Sequence, residues 1–327
     1  MFSELVVAYL FLGGTGAGAC AIMAVAGLLV DGEQLRLCAA SRFLDERGQA
    51  YGRFFGAGLA AGVAALALGI VCLTADVGRP DRLVLLVVSE PTNYLVLGAW
   101  SLAACFGLGV LGVLAWRGVL SVRSVALRGL SALLAAVSFV TMAYTGLLLS
   151  SMASMPLWHN LWLPVMFVLS SLSCGIALVL ATTLLGRSAP AFARVLRALV
   201  RIDGLIIAAE VLVLAAWLVA VCAAAGAGSA DGAPTPTDAA ALAAVRLLLE
   251  GPGALAFWVG LVGVGLVVPL AINAIASFVL KPSRSASMAL PRQVAFLVSA
   301  LGVLIGGACL RATVVSAALV PAAVGLL

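Results

Sequence analysis

Eight long apolar segments run along this 327-residue chain, and they decide what it can fold into. A bilayer core about 30 Å thick takes about 20 helical residues, and each segment is at least that long. With 64% apolar and 9% charged residues, the chain cannot bury its hydrophobic surface in a water-soluble core. Strands of outer-membrane barrels need only about 10 residues each. We therefore predict an all-α membrane protein.

The predicted architecture is a single integral membrane domain over residues 1–327, with eight spans that form two four-helix bundles. Numbered in chain order, the spans are residues 5–30, 54–75, 94–116, 125–150, 161–185, 200–224, 253–280 and 292–322. The first segment has no basic start and no small-residue cleavage site, so we interpret it as a retained helix and not as a signal peptide. The stretch 225–238 is interpreted as a flexible connection between spans 6 and 7.

Basic residues predict the orientation of the spans. Loops 1–2, 3–4, 5–6 and 7–8 with their helix edges carry fourteen of the 18 basic residues, namely Arg36, Arg42, Arg47, Arg53, Arg117, Arg123, Arg128, Arg187, Arg194, Arg197, Arg201, Lys281, Arg284 and Arg292. The opposite side has only Arg79, Arg82 and Arg246. Positive loops stay in the cytoplasm, so both termini are predicted to be periplasmic in a cytoplasmic (inner) membrane. The net charge of +5 reflects this orientation and not nucleic-acid binding.

Residue types that hold cofactors are scarce. A b-type haem needs pairs of intramembrane histidines, and the one histidine, His159, falls in a predicted outer loop. The seven cysteines stand singly, with no Cys-x-x-Cys pair that could start an iron–sulfur or zinc site. We therefore predict no haem, no metal and no cofactor bound covalently or by the chain's own ligands.

A charged box follows span 2 on the side that is otherwise poor in arginine. It comprises residues 76–82, with the sequence Asp-Val-Gly-Arg-Pro-Asp-Arg. Because proline cannot continue a helix and arginine can reach the headgroups, a simple helix stop is an alternative interpretation of Arg79 and Pro80. Neither solubility nor membrane orientation requires these charges on this face, so the box is a candidate functional site.

Polar side chains at the outer ends of spans 1 to 4 are expected to surround this box. Tyr9 lies near the outer start of span 1, Tyr144 lies inside the outer end of span 4, and His159 is in the loop that follows. An interfacial aromatic belt is the alternative, because tyrosine and tryptophan collect at headgroup level. We favour the belt for three residues, Tyr94, Trp158 and Trp162.

Four segments of the chain resemble the NrfD/PsrC family, the membrane subunits of the polysulfide reductase type. They are residues 9–18 (Tyr-Leu-Phe-Leu-Gly-Gly-Thr-Gly-Ala-Gly), 76–80 (Asp-Val-Gly-Arg-Pro), 144–146 (Tyr-Thr-Gly), and Gly251-Pro252 leading into Phe257-Trp258. The resemblance covers nearly the whole chain, and residues 76–80 are its most specific part. One departure is that only residues 1–4 precede span 1, so polar residues that some members place there have no clear counterpart.

The resemblance implies a membrane subunit that oxidises a quinol or reduces a quinone near the outer surface. Quinone, including menaquinone, would be the exchangeable substrate. The implied partners are a four-cluster ferredoxin-like iron–sulfur subunit on the outer loops and, attached to it, a molybdopterin catalytic subunit. Quinone chemistry moves electrons together with protons, so it needs side chains that hydrogen-bond the ring oxygens and a proton route to water.

Six residues form the predicted quinone site. Tyr144 is expected to hydrogen-bond the head group, and His159 is a candidate second partner. Asp76 and Arg79 would shape the site, the proton exit or the docking surface. Gly14 forms a small-xxx-small face with Gly18 that lets a helix or a flat ring approach the backbone. Tyr9 completes the set.

Four polar residues inside the second half of the membrane domain form a predicted ladder. Glu210 lies about ten residues into span 6, or about 15 Å, which places it near the midplane. Arg311 lies toward the outer face, and Asp203 and Asn273 lie toward the inner face. Buried ionisable groups at such depth are functional candidates. The ladder is interpreted either as a proton path or as structural pairing of polar groups.

Two other function classes remain open. An ion-coupled transporter would use Glu210, Arg311 and Asn273 as a midplane substrate site, but such folds often show broken helices and inverted repeats. Of the prolines, Pro164 is near a helix start and Pro269 alone interrupts span 7. A passive anchor that holds catalytic subunits at the membrane is the other alternative.

Overall fold

A computed structural model describes residues 4–41, 43, 45–77, 94–152, 155, 157–186, 192–228, 236–251, 253–278 and 290–323. That part of the chain is helical and contains no strand, which confirms the all-α prediction. Its elements are α1 (Glu4–Leu28), α2 (Gly32–Ala40), α3 (Glu46–Val77), α4 (Tyr94–Trp116), α5 (Ser124–Ser150), α6 (Trp162–Leu185), α7 (Ala193–Gly228), α8 (Pro236–Glu250), a π-helix (Ala256–Val267), α9 (Val268–Phe278) and α10 (Leu290–Ala323).

Eight of these helices are long and apolar enough to cross a membrane, in agreement with the eight predicted spans. They are α1, α3, α4, α5, α6, α7, the π-helix continued by α9, and α10. Several ends differ from the prediction: α3 begins at Glu46 instead of residue 54, and α7 extends from Ala193 to Gly228. Hydropathy locates the apolar core of a helix, whereas the helix itself continues as long as its backbone groups are hydrogen-bonded.

Two short helices lie outside the predicted spans. The α2 helix falls between the first two spans, and α8 falls in the connection before the seventh. Part of the predicted flexible stretch 225–238 is therefore helical, because α7 ends at Gly228 and α8 begins at Pro236. Alanine is the best helix former, and proline is favoured in the first helical position.

The eight spans pack as two groups of four that share a central seam. In the first group, α1 contacts α3 and α5, and α4 contacts the same two helices. In the second group, α6 contacts α7 and α10, while the π-helix and α9 pack against α10. The two groups meet mainly through α1 and α6, whose apolar windows are 67% and 72% buried, more than those of the other spans.

Glycines allow α1 and α6 to approach closely. A Cβ built on Gly18 would collide with the Ser171 backbone, and one built on Gly175 would collide with the Gly18 backbone. Membrane helices gain no hydrophobic stabilisation from each other, so small residues at their contacts permit van der Waals packing of the backbones.

The π-helix ends one residue before α9 resumes the normal helical pitch with Val268 and Pro269. Proline has no N–H for the carbonyl four residues earlier, here Gly265, and its ring pushes that carbonyl away. Wider π-turns before the proline accommodate this displacement. The π-helix packs against α10 where Gly265 meets Gly306. A Cβ built on either glycine would collide with the backbone of the other.

Candidate functional site

The membrane face at which α1 begins is called the N-face here, and two tyrosines meet close to it. The Tyr9 hydroxyl of α1 and the Tyr144 hydroxyl of α5 are hydrogen-bonded to each other. Each residue is only 3% exposed. At 1.5 Å per residue, Tyr9 lies about 8 Å from the start of α1, and Tyr144 lies about the same distance from the end of α5. The structure thus brings together two of the predicted site residues inside the first helix group.

A glycine of α4 provides the space for the Tyr144 ring. A Cβ built on Gly98 would collide with the ring carbons of Tyr144. The Ser101 hydroxyl donates a hydrogen bond of 3.0 Å to the Gly98 carbonyl oxygen. In contrast, a Cβ on Gly13 would lie 3.6 Å from Cε2 of Tyr9, an ordinary contact. The position of the Tyr144 ring therefore depends on Gly98, which is not among the residues predicted from the sequence.

The other predicted residues at this end have different positions. Asp76 is exposed in the last turn of α3, while Arg79 and the rest of the box after Val77 lie outside the described residues. His159 is also exposed, and its Nδ1 is 3.0 Å from the carbonyl oxygen of Ser150, the last residue of α5. Because the last carbonyls of a helix lack helical partners, this contact caps the end of α5.

The aromatic residues near the N-face do not behave alike. Tyr94 and Trp162 are 45% and 42% exposed, which fits the predicted interfacial belt. The belt interpretation is wrong for Trp158, which is fully buried. Its indole Nε1 donates a hydrogen bond of 3.0 Å to the Val314 carbonyl oxygen of α10, so the loop after α5 is attached to the second helix group.

A second polar cluster is built around Arg311 of α10, whose side chain is 0% exposed. Nε donates to the Leu10 carbonyl oxygen at 3.0 Å, and Nη2 donates to the Ser171 hydroxyl at 2.8 Å. Nη1 donates to the Gly307 carbonyl oxygen at 2.9 Å and to the Ser170 hydroxyl at 3.3 Å. A buried cation is costly unless the protein replaces its hydration, and these acceptors do so.

Aromatic rings and a glycine complete the surroundings of Arg311. The guanidinium carbon lies 5.8 Å from the Phe11 ring centroid and 5.4 Å from that of Phe167. A Cβ built on Gly14 would lie 2.6 Å from the Ser171 hydroxyl oxygen and 2.8 Å from Nη2 of Arg311. Gly14, which was predicted to let a helix or the quinone ring approach the backbone, is therefore placed against the arginine cluster.

Glu210 of α7 lies beside this cluster and is 4% exposed. With Ser170 and Ser173 it lines a cavity of about 10 Å³, roughly the volume needed by a single water molecule. Ser170, which lines the same cavity, accepts the hydrogen bond from Nη1 of Arg311 and so connects the cavity to the arginine cluster. The remaining lining residues are Cys174, Leu261, Gly265, Leu266, Val303, Gly306 and Gly307.

A third polar group is connected to the cavity through Ser173. Asp203 is 2% exposed, and its Oδ1 accepts a 2.7 Å hydrogen bond from the Ser173 hydroxyl. Its Oδ2 accepts a 3.0 Å hydrogen bond from the Asn273 amide. The Ser299 hydroxyl then donates to the Asn273 amide oxygen at 3.4 Å. All four residues of the predicted ladder thus belong to one region of the second helix group.

Three serines of α6 connect these groups, and none of them is among the residues predicted from the sequence. They are Ser170, Ser171 and Ser173, which stand close together in the middle of an otherwise apolar span. Three serines within four residues of a membrane segment could have indicated a polar site, because a hydroxyl inside the bilayer needs a hydrogen-bond partner.

The tyrosine pair and the arginine cluster are neighbours along α1. Arg311 binds the carbonyl of Leu10, and the preceding residue is Tyr9. Polar groups therefore continue from the N-face end of the first helix group into the second.

Comparison with known proteins gives two matches. The family described as "Polysulphide reductase, NrfD" matches residues 1–323, which confirms the resemblance inferred from the sequence motifs. The curated protein "Protein NrfD" of Escherichia coli (strain K12) is 29% identical over 155 residues. That alignment covers 47% of this chain and 45% of the relative, so the chain matches less than half of the relative's length.

Proposed function

This chain belongs to the polysulphide reductase NrfD family, and on that premise we propose that it is the membrane subunit of a respiratory oxidoreductase complex. It exchanges electrons between the membrane quinone pool, menaquinone included, and an iron–sulfur subunit docked at the N-face. The complex resides in the cytoplasmic (inner) membrane, and the N-face and both termini are periplasmic. The orientation is supported by the distribution of basic residues between the loops.

The observation that carries this proposal is the buried pair of tyrosine hydroxyls. Each hydroxyl can donate one hydrogen bond and accept others, and the bond between Tyr9 and Tyr144 uses one donor. The second hydroxyl proton is therefore available for a ring oxygen placed beside the pair. We assign the quinone head group to this position, near the N-face ends of α1, α3, α4 and α5.

The chain's own residues would bind and orient the quinone and lead its protons away. Oxidation of a quinol releases protons, which must reach water, and Asp76 is an exposed carboxyl group on this same face. The electrons pass to the redox centre of a partner, for which we propose a four-cluster ferredoxin-like subunit attached to a molybdopterin catalytic subunit. Arg79 and His159 are proposed to contribute to the rim of the site or to the docking surface.

The test is a pair of hydroxyl deletions, Tyr9→Phe and Tyr144→Phe, in membranes that contain the assembled complex. Each variant keeps the buried ring but removes one donor, so we expect the rate of quinol oxidation to fall about tenfold or more. Tyr94→Phe is the matched control, because Tyr94 lies on the same face but is exposed. It should retain the full rate.

The assembled complex must be shown to be intact in every variant. A water-soluble electron donor that reduces the partner subunits directly should give equal rates in all three. A passive membrane anchor would retain quinol oxidation in all variants, and a transporter would show no quinol-dependent electron transfer. Either result would contradict the proposal.

A further inference from the structure

The buried carboxyl groups of α7 lie outside the proposed quinone site, and their spacing is informative. Glu210 and Asp203 are separated by two helical turns, about 10 Å along the axis, so they cannot exchange a proton directly. Ser173 of α6 lies between them: it lines the cavity beside Glu210 and donates its hydroxyl proton to Asp203 at 2.7 Å.

We propose that the cavity between Ser170, Ser173 and Glu210 is a binding site for one water molecule, and that this water and Ser173 form a proton relay between Glu210 and Asp203. The cavity volume of about 10 Å³ corresponds to one water. Two hydroxyls and a carboxyl group supply the polar partners that a buried water requires. Three hydrogen bonds of about 2.8 Å each would connect the two carboxyl groups: from Glu210 to the water, from the water to Ser173, and from Ser173 to Asp203.

The relay moves one proton and leaves its intermediate groups unchanged. The carboxylic acid of Glu210 gives its proton to the water, the water gives another to the Ser173 oxygen, and the Ser173 hydroxyl proton passes to Oδ1 of Asp203. Glu210 ends as a carboxylate and Asp203 as a carboxylic acid. Rotation of the serine hydroxyl and of the water then restores the starting arrangement.

The four ladder residues differ in whether their side chains can bind and release a proton. Glu210 and Asp203 carry the proton, because a carboxyl group can bind and release one. Arg311 does not release a proton in proteins, and the amide of Asn273 is neither acidic nor basic. These two are positioning residues: Arg311 orients Ser170 at 3.3 Å, and Asn273 orients Asp203 at 3.0 Å.

The relay can be tested without quinone turnover. The full chain in lipid nanodiscs is transferred to D2O at a pH at which Glu210 is a carboxylic acid and Asp203 is a carboxylate, and infrared spectroscopy follows the hydrogen–deuterium exchange of the Glu210 C=O band beside the Asp203 carboxylate band. Glu210→Gln and Asp203→Asn identify the two bands. Ser173→Ala removes the connecting hydroxyl, and we expect the exchange of the Glu210 band to slow about tenfold or more.

Two further variants keep the test independent of folding defects. Ser173→Thr retains a hydroxyl and should restore the wild-type exchange rate. Thr182→Ala removes a hydroxyl from the same helix, and it should exchange like the wild type because that hydroxyl donates to the Leu178 and Val179 carbonyls of its own helix. Unchanged exchange of the Glu210 band in Ser173→Ala would overturn the proposal. A high-resolution map that shows no ordered water between Ser170, Ser173 and Glu210 would do the same.

Discussion

Gly14→Ala isolates the packing of the arginine cluster. The new methyl group would lie 2.6 Å from the Ser171 hydroxyl oxygen and 2.8 Å from Nη2 of Arg311, closer than carbon contacts allow. Both groups must move, and the 2.8 Å hydrogen bond between them is the first to weaken. Since Arg311 is fully buried, water cannot replace this bond. Hydrogen bonds to charged groups contribute about 1.5–3 kcal/mol, so we expect a destabilisation of about 2–4 kcal/mol.

The assay is unfolding of the purified protein in mixed micelles, compared with Gly107→Ala as control. Gly107 is in a helix of the same membrane domain, and nothing lies within 4 Å of a Cβ built there. Alanine is the better helix former, so this control should be neutral or more stable by about 0.5–1 kcal/mol. Equal stability of the Gly14→Ala and Gly107→Ala variants would refute the assignment of Gly14 to the arginine cluster.

Three more predictions concern single contacts. Gly98→Ala should displace the Tyr144 ring and lower quinol oxidation about as much as Tyr144→Phe, and a normal quinol oxidation rate would contradict this. Arg311→Lys keeps the charge but loses the planar array of donors, so we expect a destabilisation of about 2–4 kcal/mol in mixed-micelle unfolding, which unchanged stability would exclude. Trp158→Phe should cost about 1–2 kcal/mol through loss of the indole hydrogen bond to the Val314 carbonyl, whereas Trp162→Phe should cost less than about 0.5 kcal/mol in the same assay.

Hydropathy predicts the spans well because few backbone structures are stable inside a bilayer. Each segment must satisfy its backbone groups internally, so a long apolar run in this chain is a helix. Helix ends are less predictable, as α3 and α7 show, because polar residues beyond the apolar core can continue the same helix. The amphipathic α2 and α8 helices have no strong apolar signal and become visible only in the structure.

The members of the candidate site were partly predictable. Charge and aromatic type identified Tyr9, Tyr144 and Arg311, because such residues are unusual inside a membrane. Their partners are small or polar residues whose role depends on a neighbouring helix, as with Gly98 under Tyr144. Burial also depends on how the helices pack. Trp158 is of a residue type that is common in interfacial belts, but it is buried and bonded to α10.

The connection between Glu210 and Asp203 could not be predicted from the sequence. The predicted ladder ordered Glu210, Arg311, Asp203 and Asn273 by depth alone. Their connection depends on Ser173, which faces both the cavity and Asp203 because of how α6 packs against α7.

We propose that quinone binds beside the Tyr9–Tyr144 pair. A cryo-EM map of the assembled complex with a bound quinone analogue tests it most directly. We predict a ring oxygen within about 2.7–3.2 Å of the Tyr9 or Tyr144 hydroxyl, the range of a hydrogen bond. A ring bound at another surface of this chain, with the tyrosine pair out of contact, would contradict this assignment of the quinone site.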